Sequence, residues 1–154
     1  MFDAPLDAWY VWIGLSMVSV AVAGTALGLP TATAPAATPV AETIDSVAAS
    51  PNQARATVAL TADRIRLARH SVALESAGGV DRAPIAFGPV VPADTRALHE
   101  VVAGRAPERA FLTKHAFEAA IEEARRAAPR WGSAPKRLTV RGVRWGDVNV
   151  TLVG

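Results

Sequence analysis

Residues 136–154, KRLTVRGVRWGDVNVTLVG, predict a β-hairpin. Gly146 and Asp147 form a two-residue turn signal of the kind that joins paired antiparallel strands. On both sides of that turn apolar and polar residues alternate, which is typical of a strand with one buried face. The apolar residues of the returning strand are Val148, Val150 and Leu152.

The outgoing strand of this hairpin changes the face that carries its apolar residues. Leu138 and Val140 share one parity, whereas Val143 and Trp145 share the other. A β-bulge inserts one extra residue and so resets which face each following side chain occupies. We therefore expect a bulge at Gly142, which lies between the two pairs.

Three or four further strands are predicted before the hairpin. Their residues alternate with the period of a half-buried strand, and Gly78-Gly79 and Pro84 supply a turn signal and an edge signal. The segments are RATVAL (55–60), RIRLAR (64–69), SVALES (71–76) and APIAFGPVVP (83–92).

Two helices are predicted between these strands and the hairpin. Asp94 is a suitable N-cap for the first helix, which Gly104 closes. Thr113 is a suitable N-cap for the second helix, and Pro129 stops it. The apolar residues of the second helix recur at the spacing of one helical face, at Phe117, Ala120, Ile121 and Ala124.

This order of elements predicts an α+β domain over residues 55–154, in which a small antiparallel sheet carries two helices on one face and ends in the hairpin. A segment of about 100 residues is a common domain size, so we expect it to fold without the rest of the chain. The 154-residue chain contains no cysteine, which excludes disulfide scaffolds, thiolate metal sites and cysteine nucleophiles.

Residues 9–29 contain no Asp, Glu, Lys, Arg or His. As a helix, a segment of this length spans about 31 Å, which matches the hydrocarbon core of a bilayer. The alternative is a cleaved signal peptide, with a cleavage site at Ala21-Val22-Ala23 or Ala32-Thr33-Ala34, but the segment before the apolar run is acidic where a signal peptide is basic. We predict an acidic tail over residues 1–8 and a retained transmembrane helix over residues 9–29.

Two groups of residues in the predicted transmembrane helix indicate its contacts. Trp9, Tyr10 and Trp12 cluster at one end, where aromatic rings prefer the membrane interface. Gly24 and Gly28 form a GxxxG pattern, which lets a second helix approach closely. These two glycines therefore predict helix packing and self-association in the membrane.

Residues 30–54 are rich in Ala, Thr, Pro and Ser, a composition typical of an extended stalk on the outer face of a membrane. Asn149-Val150-Thr151 is a formal N-glycosylation acceptor, which favours the same orientation. The positive-inside rule gives no orientation here, because no Lys or Arg lies near either end of the apolar run. We expect a flexible stalk that carries the soluble domain outside the cell.

The predicted domain is basic, because residues 55–154 carry all 16 Lys and Arg residues and 10 of the 14 acidic residues. No known nucleic-acid-binding module is present, so we expect no nucleic-acid partner. A solvated basic surface, or a docking face for an acidic protein or anionic lipid, explains the charge. The expected partners are membrane lipids and other envelope subunits. The basic residues that suggest such a face are Arg64, Arg66, Arg125, Arg126, Arg130, Lys136, Arg137, Arg141 and Arg144.

No common catalytic motif occurs in the chain: GxSxG, a Walker loop, GxGxxG and HExxH are all absent. His115, Glu118 and Glu122 share a helical face and could hold a divalent ion, but a solvated helix face explains this pattern better. We therefore expect no catalytic residue, no metal and no cofactor. The alternative is a membrane-anchored hydrolase with a site near His99 and His115.

Four short blocks carry a resemblance to a known family. They are DAWYVWIGL (7–15), ADRIRL (62–67), AFGPVVP (86–92) and WGDVNVTLVG (145–154). Together they resemble a haloarchaeal family of small single-span membrane proteins, catalogued as a domain of unknown function. The resemblance implies a pilin-like or accessory subunit of a pilus- or secretion-type assembly, and hence a non-enzymatic protein of the cell envelope.

The chain departs from that pattern in two respects. Haloarchaeal proteins are usually strongly acidic, whereas this chain has a net charge of +2. Type IV pilins carry a basic leader and a peptidase site before the apolar helix, and neither is present here. The resemblance therefore predicts an unprocessed or minor relative of the pilins.

Overall fold

The computed structural model describes residues 33–154, which contain four helices and eight strands. The helices are α1 (Thr38–Ala48), α2 (Arg96–Ala103), α3 (Pro107–Ala110) and α4 (Lys114–Arg126). The strands are β1 (Arg55–Ala59), β2 (Arg64–Ala68), β3 (Ser71–Ser76), β4 (Gly79–Pro84), β5 (Val90–Pro92), β6 (Gly132–Ser133), β7 (Arg137–Trp145) and β8 (Val148–Val153). The predicted α+β class is confirmed.

The strands form two four-stranded sheets, where the sequence predicted one. Sheet A has the order β1-β7-β8-β5, and sheet B has the order β4-β3-β2-β6. All pairs are antiparallel except β5 with β8, which is parallel. The segment 83–92, expected to be one strand, is divided between the two sheets, since β4 ends at Pro84 and β5 begins at Val90.

The C-terminal hairpin is present, with Gly146 in its turn at a φ of 63°. The prediction of a bulge at Gly142 is wrong. Pairing between β7 and β8 runs without interruption from Trp145↔Val148 to Val140↔Val153, with Gly142 opposite Thr151. The change of parity in β7 therefore has another cause.

That cause is the burial of both faces of sheet A. Leu138 and Val140 face a first core (core 1), which also contains α1 and the inner face of sheet B. Val143, which is fully buried, and Trp145 face a second core (core 2), which contains α2 and α4. Each face of β7 is apolar where a helix covers it, so the strand stays regular.

The two cores share no buried residue. Core 1 consists of Ala37, Val40, Ala41, Ile44, Val47, Ile65, Val72, Leu74, Ala83, Ile85, Val90, Leu138, Val140 and Val153. Core 2 consists of Val91, Leu98, Val101, Val102, Phe117, Ile121, Ala124, Val143, Val150 and Leu152. Adjacent residues such as Val90 and Val91 belong to different cores, as alternation along a strand requires.

The stalk predicted over residues 30–54 is wrong for its described part, because residues 38–48 form α1. Val40, Ala41, Ile44 and Val47 are at most 4% exposed, and they follow the spacing of one helical face. Proline is tolerated in the first turn of a helix, so Pro39 starts α1 instead of preventing it. The Ala, Thr, Pro and Ser content of residues 30–54 led to the wrong prediction, because it does not show the helical spacing of the apolar residues. The compact unit of the structure includes residues 33–54.

Two carboxylates hold α1 between the sheets. Asp81 on β4 accepts a hydrogen bond of 2.7 Å from the backbone N–H of Ala37, immediately before the helix. Asp45 on α1 accepts bonds of 3.1 and 2.8 Å from the backbone N–H groups of Ala86 and Phe87. Each contact satisfies backbone donors outside a helix or sheet ladder, so each fixes the position of the helix as well as adding stability.

The helices over core 2 largely follow the predicted pattern. Thr113 caps α4 by accepting from the N–H of Ala116, and Gly104 closes α2 with a φ of 126°. The N-cap of α2 is Thr95, however, and the prediction of Asp94 is wrong by one residue. Phe117 of α4 is fully buried, with its ring 5.8 Å from that of Trp145.

Several predictions concern residues that lie outside the described part of the chain. They are the acidic tail (1–8), the transmembrane helix (9–29), the interface residues Trp9, Tyr10 and Trp12, and the packing residues Gly24 and Gly28. Within residues 33–154, no helix combines the length and apolar character needed to cross a bilayer.

Replacing Ile44 tests the role of α1. We expect Ile44→Ala to lower the free energy of unfolding by about 2–5 kcal/mol, because it leaves a cavity between the two sheets. Glu42→Ala, at an exposed position of the same helix, should change it by less than about 0.5 kcal/mol. Urea denaturation of both variants measures the difference, and equal values would contradict the placement of α1 in core 1.

The earlier expectation that residues 55–154 fold alone is revised, because that segment lacks α1.

Candidate functional site

The three histidines do not converge. His70 lies between β2 and β3, His99 on α2 and His115 in the first turn of α4, and all three are exposed. Within residues 33–154, no group of three or more His, Asp or Glu side chains is arranged to hold a metal ion. Glu118 is shared between two partners, since its carboxylate lies 3.9 Å from His115 Nδ1 and 3.4 Å from Lys114 Nζ. Glu122 Oε1 lies 2.8 Å from Arg125 Nη1, so the His115 pattern is not assembled into one site.

An ion pair joins α4 to the hairpin turn. Lys114 Nζ donates a hydrogen bond to Asp147 Oδ1 and lies 3.4 Å from Glu118 Oε1. The hydrogen bond to Asp147 raises the pKa of Lys114, and the same bond lowers the pKa of Asp147. Both groups are solvent-exposed, so the contact orients the first turn of α4 against the turn more than it stabilises the fold.

The outer face of sheet B is basic and aromatic. Ile65 and Leu74 point into core 1, so their strand neighbours point outward. These outward residues include Arg64 and Arg66 on β2 and Arg82 on β4, and we refer to these three arginines together with Trp131 as the basic face. The guanidinium carbons of Arg66 and Arg64 lie 4.9 and 5.5 Å from the ring centroid of Trp131.

Charge on the basic face is only partly compensated. Glu75 lies 3.1 Å from Arg64 and forms an ion pair with it. Within residues 33–154, no carboxylate forms an ion pair with Arg66 or Arg82. Ala73, which is paired with both arginines in the sheet register, is 2% exposed. Arg66 and Arg82 therefore flank the same buried alanine on the outer face of sheet B, and Arg66 also lies against the ring of Trp131.

A cavity lies beside sheet A where β8 extends beyond β5. Because β5 begins at Val90, opposite Thr151, the strand edge at Asn149 has no β5 residue beside it. The cavity has a volume of about 240 Å³. Two arginines line it, Arg125 from α4 and Arg144 from β7, and we refer to it as the arginine cavity. Its remaining lining residues come from the end of α1, residues 50–53, the loop 87–89, and β7 and β8.

Three further cavities are lined mainly by other elements. Two lie between β2 and the end of α4, with volumes of about 360 and 380 Å³, and one of these is lined in part by His70. The third, of about 440 Å³, lies between α4 and the hairpin. Neither His99 nor His115 lines any of the four cavities.

The basic residues identified from the sequence have different roles in the fold. Arg64 and Arg66 meet on the basic face, and Arg125 and Arg144 meet at the arginine cavity. Arg141 has a structural role, because its guanidinium donates to the backbone carbonyls of Val101 and Arg105 and so fixes the end of α2. Sequence reasoning missed Arg82, whose position opposite Ala73 depends on strand register.

The chain matches a known family. The model of a Family of unknown function (DUF7283) matches residues 3–143, which is most of the chain. The prediction of an uncharacterised family is thereby confirmed. No curated protein matches the chain, and no solved structure matches it.

The ion pair of Lys114 and Asp147 predicts a pH-dependent effect of Asp147→Asn. A lowered pKa in the folded state means that Asp147 contributes stability above the ordinary carboxyl pKa, and that this contribution disappears as the pH falls through the lower value. The raised pKa of Lys114 means that its contribution disappears only as the pH rises through that raised value. We expect the variant to melt slightly below the wild type at neutral pH, and at the same temperature once the pH lies below the lowered pKa of Asp147. Asp63→Asn is the exposed control, and a difference that persists in acid would contradict the assignment.

Gly88 in the wall of the arginine cavity predicts a second effect. A Cβ atom there would lie 2.5 Å from Nδ1 of His70 and 2.8 Å from the carbonyl oxygen of Arg69, so backbone must move. We expect Gly88→Ala to destabilise the fold by about 1–3 kcal/mol in urea denaturation. Gly132→Ala is the matched control, because no atom lies within 4 Å of the added Cβ. Equal stability of the two variants would show that the loop 87–89 adapts freely.

Proposed function

We propose that this chain, which belongs to the Family of unknown function (DUF7283), is a non-enzymatic, membrane-anchored protein of the cell envelope. In this proposal it is a pilin-like or accessory subunit of a pilus- or secretion-type assembly. Its domain binds an acidic partner subunit through the basic face. The observation that carries the proposal is the pair of arginines, Arg66 and Arg82, that lack an ion-pair partner within residues 33–154.

The basic face has the chemistry of a protein interface. Arg and Trp are enriched among the residues that contribute most to binding, because both bury a large planar surface and retain hydrogen-bond donors. The ring of Trp131 holds two guanidinium groups within 6 Å, which limits the side-chain entropy that binding would remove. An acidic partner would supply carboxylates that pair with the guanidinium groups of Arg66 and Arg82 in a bidentate geometry.

The membrane anchor in this proposal is the uncharged run of residues 9–29. The stalk is not part of the proposal, because Pro35 is already buried in the folded domain.

The pilus or secretion context and the haloarchaeal source come from the sequence resemblance. The expected location is a single-pass protein of the cell membrane with its domain outside the cell, where the partners are lipids and other subunits. Gly24 and Gly28 provide the face for association within the membrane. The hydrolase alternative needs His99 and His115 to converge, and their positions on separate helices, both exposed, weigh against it.

Crosslinking of the full-length protein in native membranes tests this function. We expect the wild type to be recovered with an acidic envelope subunit. The double variant Arg66→Gln/Arg82→Gln should reduce the yield by about tenfold or more, because interfacial arginines commonly contribute over 1 kcal/mol each. Arg109→Gln/Arg137→Gln removes the same charge from exposed positions elsewhere and should retain the crosslink.

Two results would reject the proposal. One is recovery of the wild type only as a monomer. The other is equal loss of the crosslink in both double variants, which would indicate a general charge effect. Gly24→Leu/Gly28→Leu tests self-association separately, because bulky residues keep two helices apart without preventing membrane insertion.

A further inference from the structure

The lining of the arginine cavity is positively charged. Arg125 and Arg144 are its ionisable residues, and neither Asp nor Glu contributes to its wall. The cavity is formed by several parts of the fold: the end of α1, the loop 87–89, and β7 and β8 of sheet A, with Arg125 from α4. Because these elements belong to both cores, the fold fixes the positions of the cavity walls.

Arg125 has an unused hydrogen-bond donor. Its Nη1 donates to Glu122 Oε1 at 2.8 Å, which anchors one side of the guanidinium group to α4. Its Nε is buried, and within residues 33–154 it has no acceptor. A buried N–H without a partner is unfavourable, so this side of the guanidinium group is not stabilised by the fold.

Arg144 is held only loosely by the protein. Its Nη2 lies 3.4 Å from the carbonyl oxygen of Pro51, which is longer than an ordinary hydrogen bond. Its backbone is fixed in β7, where it pairs with Asn149 of β8. The guanidinium group is thus available to a ligand while its base is rigid.

The remaining lining residues suit a small polar molecule. Ser50, Asn52, Asn149 and Thr151 offer hydroxyl and amide groups, and Val47, Phe87 and Pro89 form an apolar wall. The volume of about 240 Å³ is below the usual range for drug-sized ligands. The cavity therefore has room for a compact molecule with one charged end.

We propose that the arginine cavity binds a small organic anion, whose carboxylate or phosphate oxygens are held by Arg125 and Arg144. A guanidinium group binds a carboxylate and a phosphate in the same way. In both cases two N–H donors in one plane face two anionic oxygens of the ligand. This inference is separate from the proposed partner binding, because the cavity and the basic face have no residue in common.

Isothermal titration calorimetry on the full-length protein in non-ionic detergent tests the site. The probes are inorganic phosphate and butyrate, each at matched ionic strength against sodium chloride. We expect saturable binding of at least one probe, and the preferred probe identifies the phosphate or carboxylate class. Arg144→Gln and Arg125→Gln should each weaken binding at least about tenfold, because charge-assisted hydrogen bonds are lost.

Two neighbouring arginines provide matched controls. Arg126 lies next to Arg125 on α4, and Arg137 lies on the same strand as Arg144. Neither residue lines the arginine cavity. The variants Arg126→Gln and Arg137→Gln should therefore bind the probes as the wild type does. Arg144 is exposed, so its variant should fold, as circular dichroism can verify, and it decides the test if Arg125→Gln does not fold. Absence of saturable binding by both probes, or unchanged binding by Arg144→Gln, would overturn the proposal.

Discussion

Both faces of the β7–β8 hairpin are covered, one by α1 and sheet B and the other by α2 and α4, and the arrangement of the domain follows from this double burial. A strand with one buried face needs a single layer of helices. A strand buried on both faces needs a layer on each side. One layer comes from a segment before β1, and the other comes from the segment between β5 and β7. Segments 38–48 and 96–126 meet that requirement.

Helix α1 connects the two sheets, because its buried residues contact β1, β7 and β8 of sheet A as well as β3 and β4 of sheet B. The buried residues at this position include the small Ala37 and Ala41 as well as the larger Ile44 and Val47. The carboxylates of Asp45 and Asp81 then fix the register of the helix through backbone N–H groups. Sheet B thereby becomes part of the same folded unit as the hairpin.

The candidate functional surfaces are consequences of this packing. Sheet B uses its inner face for core 1, which leaves the arginines of its outer face available to a partner. Strand β5 is short, which leaves an open length of β8 and a cavity next to it. The arginines consequently divide into groups with different roles: Arg141 supports the end of α2, whereas Arg66 and Arg144 lie at surfaces where a ligand or partner can reach them.

The sequence by itself determined the local features of the described part: the hairpin with its Gly146 turn, the Thr113 cap, the apolar stripe of α4 and the α+β class. These depend on neighbours within a few residues, so pattern and turn chemistry suffice. The tertiary structure decided the second sheet, the role of α1 and the absence of a bulge at Gly142. Whether a parity change marks a bulge or a second buried face depends on what packs against the strand, and which arginines meet depends on strand register. Both are long-range properties, because they arise from segments distant in the chain.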